Sequence, residues 1–105
     1  MTLVTTHVLD TAKGRPAVGV PVMLERTDGD GWVRIGMGAT DPDGRVRHLG
    51  DVAPGHHRLT FDTGAYLKEG FYPQVVIDFT VAAGEDHYHV PLLLSPYGYS
   101  TYRGS

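Results

Sequence analysis

Apolar and polar positions alternate with a period of two along most of this chain, the pattern of strands with one face buried. From Leu3 to Asp10, Val4, Thr6 and Val8 share one face and Leu3, Thr5, His7 and Leu9 the other, so His7 points away from the apolar set. After a loop around Lys13, Gly14, Arg15 and Pro16, the shared face of Val18, Val20, Val22 and Leu24 predicts a second strand, ending at the polar turn Asp28-Gly29-Asp30-Gly31. Trp32 to Thr40 predicts a third. Asp41-Pro42-Asp43-Gly44 carries Pro and Gly where a type I turn accepts them. The strand after it starts at Arg45, with Val46 toward the core and Arg45 and Arg47 on the opposite face. Ala53-Pro54-Gly55 turns the chain again, and His57, Leu59 and Phe61 alternate into a fifth strand.

Only Thr63 to Gly70 has helical character, and one or two isolated turns are marginal without a sheet to lean on. Val75, Ile77, Phe79 and Val81 resume the strict alternation; Gly84-Glu85-Asp86 turns; Tyr88, Val90, Leu92 and Leu94 form a further core face, with His87 and His89 opposite. Tyr97-Gly98-Tyr99 leads into a short last strand running to Ser105. The expected fold is all-β: a two-sheet antiparallel sandwich of about eight strands with one short helix.

Composition narrows this picture. At 105 residues, with no linker, repeat or low-complexity tract, the chain is expected to be a single domain spanning 1–105. The 14 Gly and 7 Pro lie between short apolar runs, where they act as turn punctuation. A net charge of −3 without a basic stripe argues against nucleic acid as a partner. No Cys is present, so a disulfide framework, a thiolate nucleophile and a Cys-based metal site are all excluded. The opening MTLVTTHVLD has no charged region followed by an apolar stretch of about 7 to 15 residues, and no run approaches ~18 apolar residues. The expectation is a soluble cytoplasmic protein with no membrane partner.

Six histidines, at 7, 48, 56, 57, 87 and 89, are the richest source of groups titrating near neutral pH. On a half-exposed strand a histidine is ordinarily a solvated or packing residue. His7 and His89 differ in standing mid-strand on polar faces, where an oligomer would enclose a lined cavity. His87 and His89, two apart on one face, raise zinc as a candidate, weakened because four ligands are normally needed and no Cys exists. Arg45 has a planar fork suited to a carboxylate, a phosphate or the carbonyl edge of a heterocycle, but by composition it equally fits a solvated strand-end charge. A carboxy-terminal Ser ordinarily frays, and no nucleophile elbow surrounds any serine.

Taken together, the two ends of the chain resemble the transthyretin-like proteins, and among them the 5-hydroxyisourate hydrolases. The resemblance covers nearly the whole chain. It is carried by Thr5-Thr6-His7-Val8-Leu9-Asp10 with Gly14-Arg15-Pro16-Ala17, by Thr40 to Arg45, by Phe61-Asp62-Thr63-Gly64, by Phe71-Tyr72-Pro73, and most specifically by His89 through Ser105. The closing Tyr102-Arg103-Gly104-Ser105 resembles the hydrolase signature, whereas the preceding part is shared with transthyretin. The resemblance implies catalytic positions at His7, Arg45, His89 and Ser105, and substrate contacts from Arg45, Tyr102 and Gly104. His87 is not among the family's catalytic positions. It further implies 5-hydroxyisourate as substrate, no cofactor and no metal, and a homotetramer built as a dimer of dimers with sites where the dimers meet. The stretch from Ala65 to Gly70 is shorter than in many members, which implies a helix of one turn or an irregular segment. Two other functions compete: a non-enzymatic transthyretin-like carrier, disfavoured by the closing four residues, and a β-sandwich adhesion module, disfavoured by the missing signal sequence.

Overall fold

A computed structural model describes residues 1–104, so Ser105 lies outside the described part of the chain. The elements are β1 (Thr2–Asp10), β2 (Arg15–Pro16), β3 (Pro21–Asp28), β4 (Gly31–Ala39), β5 (Arg45–Val52), β6 (Gly55–Phe61), α1 (Thr63–Tyr66), β7 (Val75–Val81), β8 (His87–Ser95) and β9 (Gly98–Thr101). They form two sheets. One follows the order β2-β1-β8-β9 with β5 also paired to β1, and the other follows β4-β3-β6-β7.

The inward faces meet in one core. Val4, Val8, Leu24, Leu59, Phe61 and Leu92 are fully buried, as the period-two pattern requires. Burying a side chain the size of Leu59 or Phe61 stabilises the fold by roughly 1.5–3 kcal/mol. Thr6, on the same inward face, satisfies its hydroxyl by donating to the Val90 carbonyl at 2.6 Å.

Three features depart from the alternation. The strand expected from Val18 begins at Pro21, because Gly19 takes a φ of +81° and breaks the extended run. Val18 is consequently half exposed, while Val20 remains buried from a loop position, its N–H held by Thr40 Oγ1 at 2.9 Å. The helix is a single turn, Thr63–Tyr66. Asp62 caps it by accepting from the Ala65 N–H, Leu67 is already extended, and the Tyr66 hydroxyl donates to Asp10 Oδ2 at 2.7 Å, tying the turn to β1. Burial and that carboxylate push the Tyr66 phenol up to about 12.

The third departure is that β1 and β8 run parallel, in a sandwich whose other pairings are antiparallel. Residue alternation carries no information on strand direction. This pairing sets Thr5 against His89 and His7 against Pro91, so the polar outer face of β1 lies beside the histidine face of β8.

Candidate active site

The site occupies the outer face of the five-stranded sheet, where β1, β5 and β8 lie side by side. Pairing of β1 with β5 places His7 opposite Arg45, after a register shift that loops two extra residues of β5 past Val4 to Thr6. A cleft of about 560 Å³ opens here, lined by His7, Arg45, His87 and His89 together with Tyr102 and Gly104 from the closing segment. Its size suits a small heterocycle.

Arg45 is delivered by the turn before it. The Asp41 carboxylate accepts from the backbone N–H groups of Asp43 and Arg45, both at 2.9 Å, and the Arg45 N–H holds that carboxyl below the usual range. Gly44 adopts φ +77°, and a Cβ there would lie 2.5 Å from the Val8 carbonyl oxygen. Only glycine lets the turn pass so close to β1. Arg47, beside it, pairs with Asp43 at 3.2 Å and Asp41 at 3.7 Å. No carboxylate among the described residues pairs with Arg45, whose guanidinium keeps its donors for another acceptor.

The histidines are oriented by different partners. His7 Nε2 lies 3.0 Å from the Asp43 carbonyl oxygen. A carbonyl only accepts, so Nε2 carries the proton and Nδ1 is the lone-pair nitrogen of the neutral ring. His89 Nδ1 lies 2.8 Å from Thr5 Oγ1, and the same oxygen is 2.6 Å from His87 Nε2. The ring centroids of His7 and His89 are 6.4 Å apart. Burial, reinforced by the charge of Arg45 and by the neighbouring His87 and His7, holds His89 below the ordinary histidine value. This environment favours the neutral ring of His89.

The closing segment covers one side of this face. β9 pairs with β8 as far as Thr101, and Gly104 rejoins it through a bridge to His89, its N–H donating to the His89 carbonyl at 2.7 Å. The gap falls at Pro91, which has no N–H to offer; its carbonyl instead accepts from the Thr101 hydroxyl at 2.7 Å. The expected last strand is thus split into β9 and a one-residue return. A Cβ at Gly104 would stand 2.7 Å from His89 Cδ2, so the glycine lets the chain lie against the imidazole. Tyr102 lines the cleft, while Arg103 turns away to stack over Tyr88 at 4.4 Å and to meet Glu85 at 3.6 Å.

The structure therefore brings together five of the expected site residues, His7, Arg45, His89, Tyr102 and Gly104; the sixth, Ser105, lies outside the described residues. Among the other cleft residues, two bear directly on His89. Thr5 bridges two imidazoles, and alternation had shown only that it shares a face with His7. His87 stands in the same cleft, a position foreshadowed by its spacing from His89. Among the described residues, no group of three or more His, Asp and Glu side chains is arranged to hold a metal ion.

Residues 4–104 match the HIUase/Transthyretin family. The chain belongs to that family. It is 47% identical to a 5-hydroxyisourate hydrolase of Caulobacter vibrioides, with both chains covered in full. Among solved structures it is similar to the 5-hydroxyisourate hydrolase of Klebsiella pneumoniae, with a TM-score of 0.88, 38% identity and full coverage of both chains. It is also similar to transthyretin from Sparus aurata, with a TM-score of 0.91, 31% identity and coverage of 99% and 97%. Backbone similarity thus embraces both branches of the family, and side chains must separate them.

Proposed function

We propose that this protein is a 5-hydroxyisourate hydrolase, opening the six-membered ring of its substrate at a lactam carbon–nitrogen bond to give 2-oxo-4-hydroxy-4-carboxy-5-ureidoimidazoline. The observation that carries this reading is the convergence of His7, Arg45 and His89 in one cleft closed by Tyr102 and Gly104. A carrier of apolar ligands has no use for two imidazoles and a guanidinium that no described carboxylate neutralises, and a full-length curated relative at 47% identity is a hydrolase.

The chemistry has three parts. Water attacks the lactam carbon and gives its proton to His7 at Nδ1, the nitrogen left free by the Asp43 carbonyl. Arg45 holds the carbonyl edge and stabilises the oxyanion of the tetrahedral intermediate. As the carbon–nitrogen bond breaks, its electron pair goes to nitrogen, His89 protonates that nitrogen, and the carbon becomes a carboxylic acid that releases the second water proton to solvent. Ser105, next in sequence to the glycine against His89, orients water or imidazole in this scheme.

The assembly we propose is a homotetramer, a dimer of dimers, in which a second copy covers the cleft. Two features favour it: the cleft lies open on the outer face of a sheet, and β7 and β9 are unpaired sheet edges. No helix among the described residues is long and apolar enough to cross a membrane, and a chain without Cys suits the reducing cytoplasm, where we place it.

The reading is tested by adding the protein to urate and urate oxidase and following the absorbance of the intermediate. Faster decay is expected; decay at the spontaneous rate would rule the hydrolase out.

A further inference from the structure

Thr5 sits between two histidines with a hydroxyl that has one proton to give. Its Oγ1 is 2.6 Å from His87 Nε2 and 2.8 Å from His89 Nδ1. The residue is 8% exposed, so bulk water competes little for either bond. If Thr5 donates to His89 Nδ1, then His87 Nε2 must carry a proton and donate to Oγ1, and the neutral His89 keeps its proton at Nε2. If Thr5 donates to His87 instead, His89 carries its proton at Nδ1 and Nε2 is bare. One concerted shift of protons along the chain converts the first arrangement into the second.

We propose that Thr5 relays a proton from His87 to His89 while His89 protonates the departing nitrogen, so that Thr5 and His87 are positioning residues of the hydrolase. The relay rests on the reading given above. In the step itself, the His89 Nε2 proton passes to the substrate nitrogen as the carbon–nitrogen bond breaks and its electron pair goes to nitrogen. The Thr5 proton moves to His89 Nδ1, and the His87 Nε2 proton moves to Thr5 Oγ1. His87 starts as an imidazolium and ends neutral with its proton on Nδ1; Thr5 and His89 stay neutral; the positive charge of His87 is consumed at the leaving nitrogen. Exposed to solvent, His87 then takes up a new proton.

The surroundings favour this route over a charged His89. Among the described residues, the groups facing His89 are His87 on its own strand, His7 from β1, Arg45 and Arg47 from β5, and Tyr102 from the closing segment. Both permanent charges among them are positive. Burial and Arg45 hold His89 below its ordinary range, so an imidazolium at His89 is poorly supported. Holding the positive charge on His87, at the exposed end of the relay, lets His89 act as an acid without becoming a cation.

The test compares wild type with Thr5→Val, Thr5→Ser and His87→Gln on freshly generated 5-hydroxyisourate across pH. Thr5→Val keeps the β-branched shape and removes the hydroxyl; Thr5→Ser keeps it. His87→Gln can hydrogen-bond to Thr5 but cannot deliver a proton. Expected are kcat losses of about 10- to 100-fold for Thr5→Val and His87→Gln, with KM within about 2-fold on the same reasoning. Thr5→Ser should restore most of the rate. A Thr5→Val enzyme with wild-type kcat and pH profile overturns the relay. Should that variant fold poorly, long-range ¹⁵N–¹H spectra of wild type decide instead: His89 with its proton on Nε2 supports the relay, and with its proton on Nδ1 overturns it. If wild type itself does not accelerate decay, the hydrolase reading fails; an active wild type with indifferent variants fails the relay alone.

Discussion

Arg45 combines a guanidinium that no described carboxylate neutralises with a place opposite His7, so its loss should fall on the transition state. Arg45→Ala is expected to lower kcat by about 10²- to 10³-fold, or about 2.7–4 kcal/mol, as for the removal of one oxyanion donor. Arg45→Lys should recover only part of that, since a point charge cannot reproduce a planar fork. Steady-state kinetics on freshly generated substrate checks both. A second residue governs stability instead. His57 is 2% exposed, and burial holds it below its ordinary value of 6.5. The unfolded chain then binds the proton more readily than the folded one. Stability is complete above about 6.5 and is lost as pH falls below it. Urea midpoints should therefore decline on acidification, and the decline should shrink in His57→Gln.

At the scale of elements, the site depends on where strands break as much as on where they form. Pro91 interrupts the pairing of β8 with the closing segment, and Gly104 restores it against His89. Gly104→Ala would put a methyl 2.7 Å from His89 Cδ2, closer than the ring can tolerate. Displacing that ring by a fraction of its width is expected to cost about 10²-fold in kcat. The thermal midpoint should barely move, because the segment lies outside the core. Calorimetry beside kinetics separates the two effects; an equal loss of stability would show Gly104 to be a folding residue instead.

For the whole molecule, the distribution of polar and apolar surface bears on assembly. The histidine face would be a solvated surface in a lone copy, and a wall of a closed cavity in a dimer of dimers. Light scattering is expected to give a mass four times that of the chain. Dilution to the monomer should abolish activity before it abolishes the strand signal in circular dichroism, because the fold is local to one chain and the enclosed cleft is not. A fully active monomer would contradict the assembly.

Much of this was legible from the residues. Period-two alternation placed most strands within a residue or two, assigned Val4, Val8, Leu59 and Leu92 to the core, and turned His7, Arg45 and His89 outward, because facing in a strand depends only on parity. Resemblance over nearly the whole chain singled out His7, Arg45, His89, Tyr102 and Gly104, which share one cleft. The tertiary structure decided what parity cannot encode. It ran β8 parallel to β1, which put Thr5 within reach of two imidazoles; it looped β5 so that Arg45 met His7; and it ended the strand pairing at Thr101. Gly19 and Pro91 show why. Each acts through a backbone dihedral or a missing N–H, whose consequence depends on the strand lying alongside, and the neighbour of a strand is settled only when the sheets close on a common core.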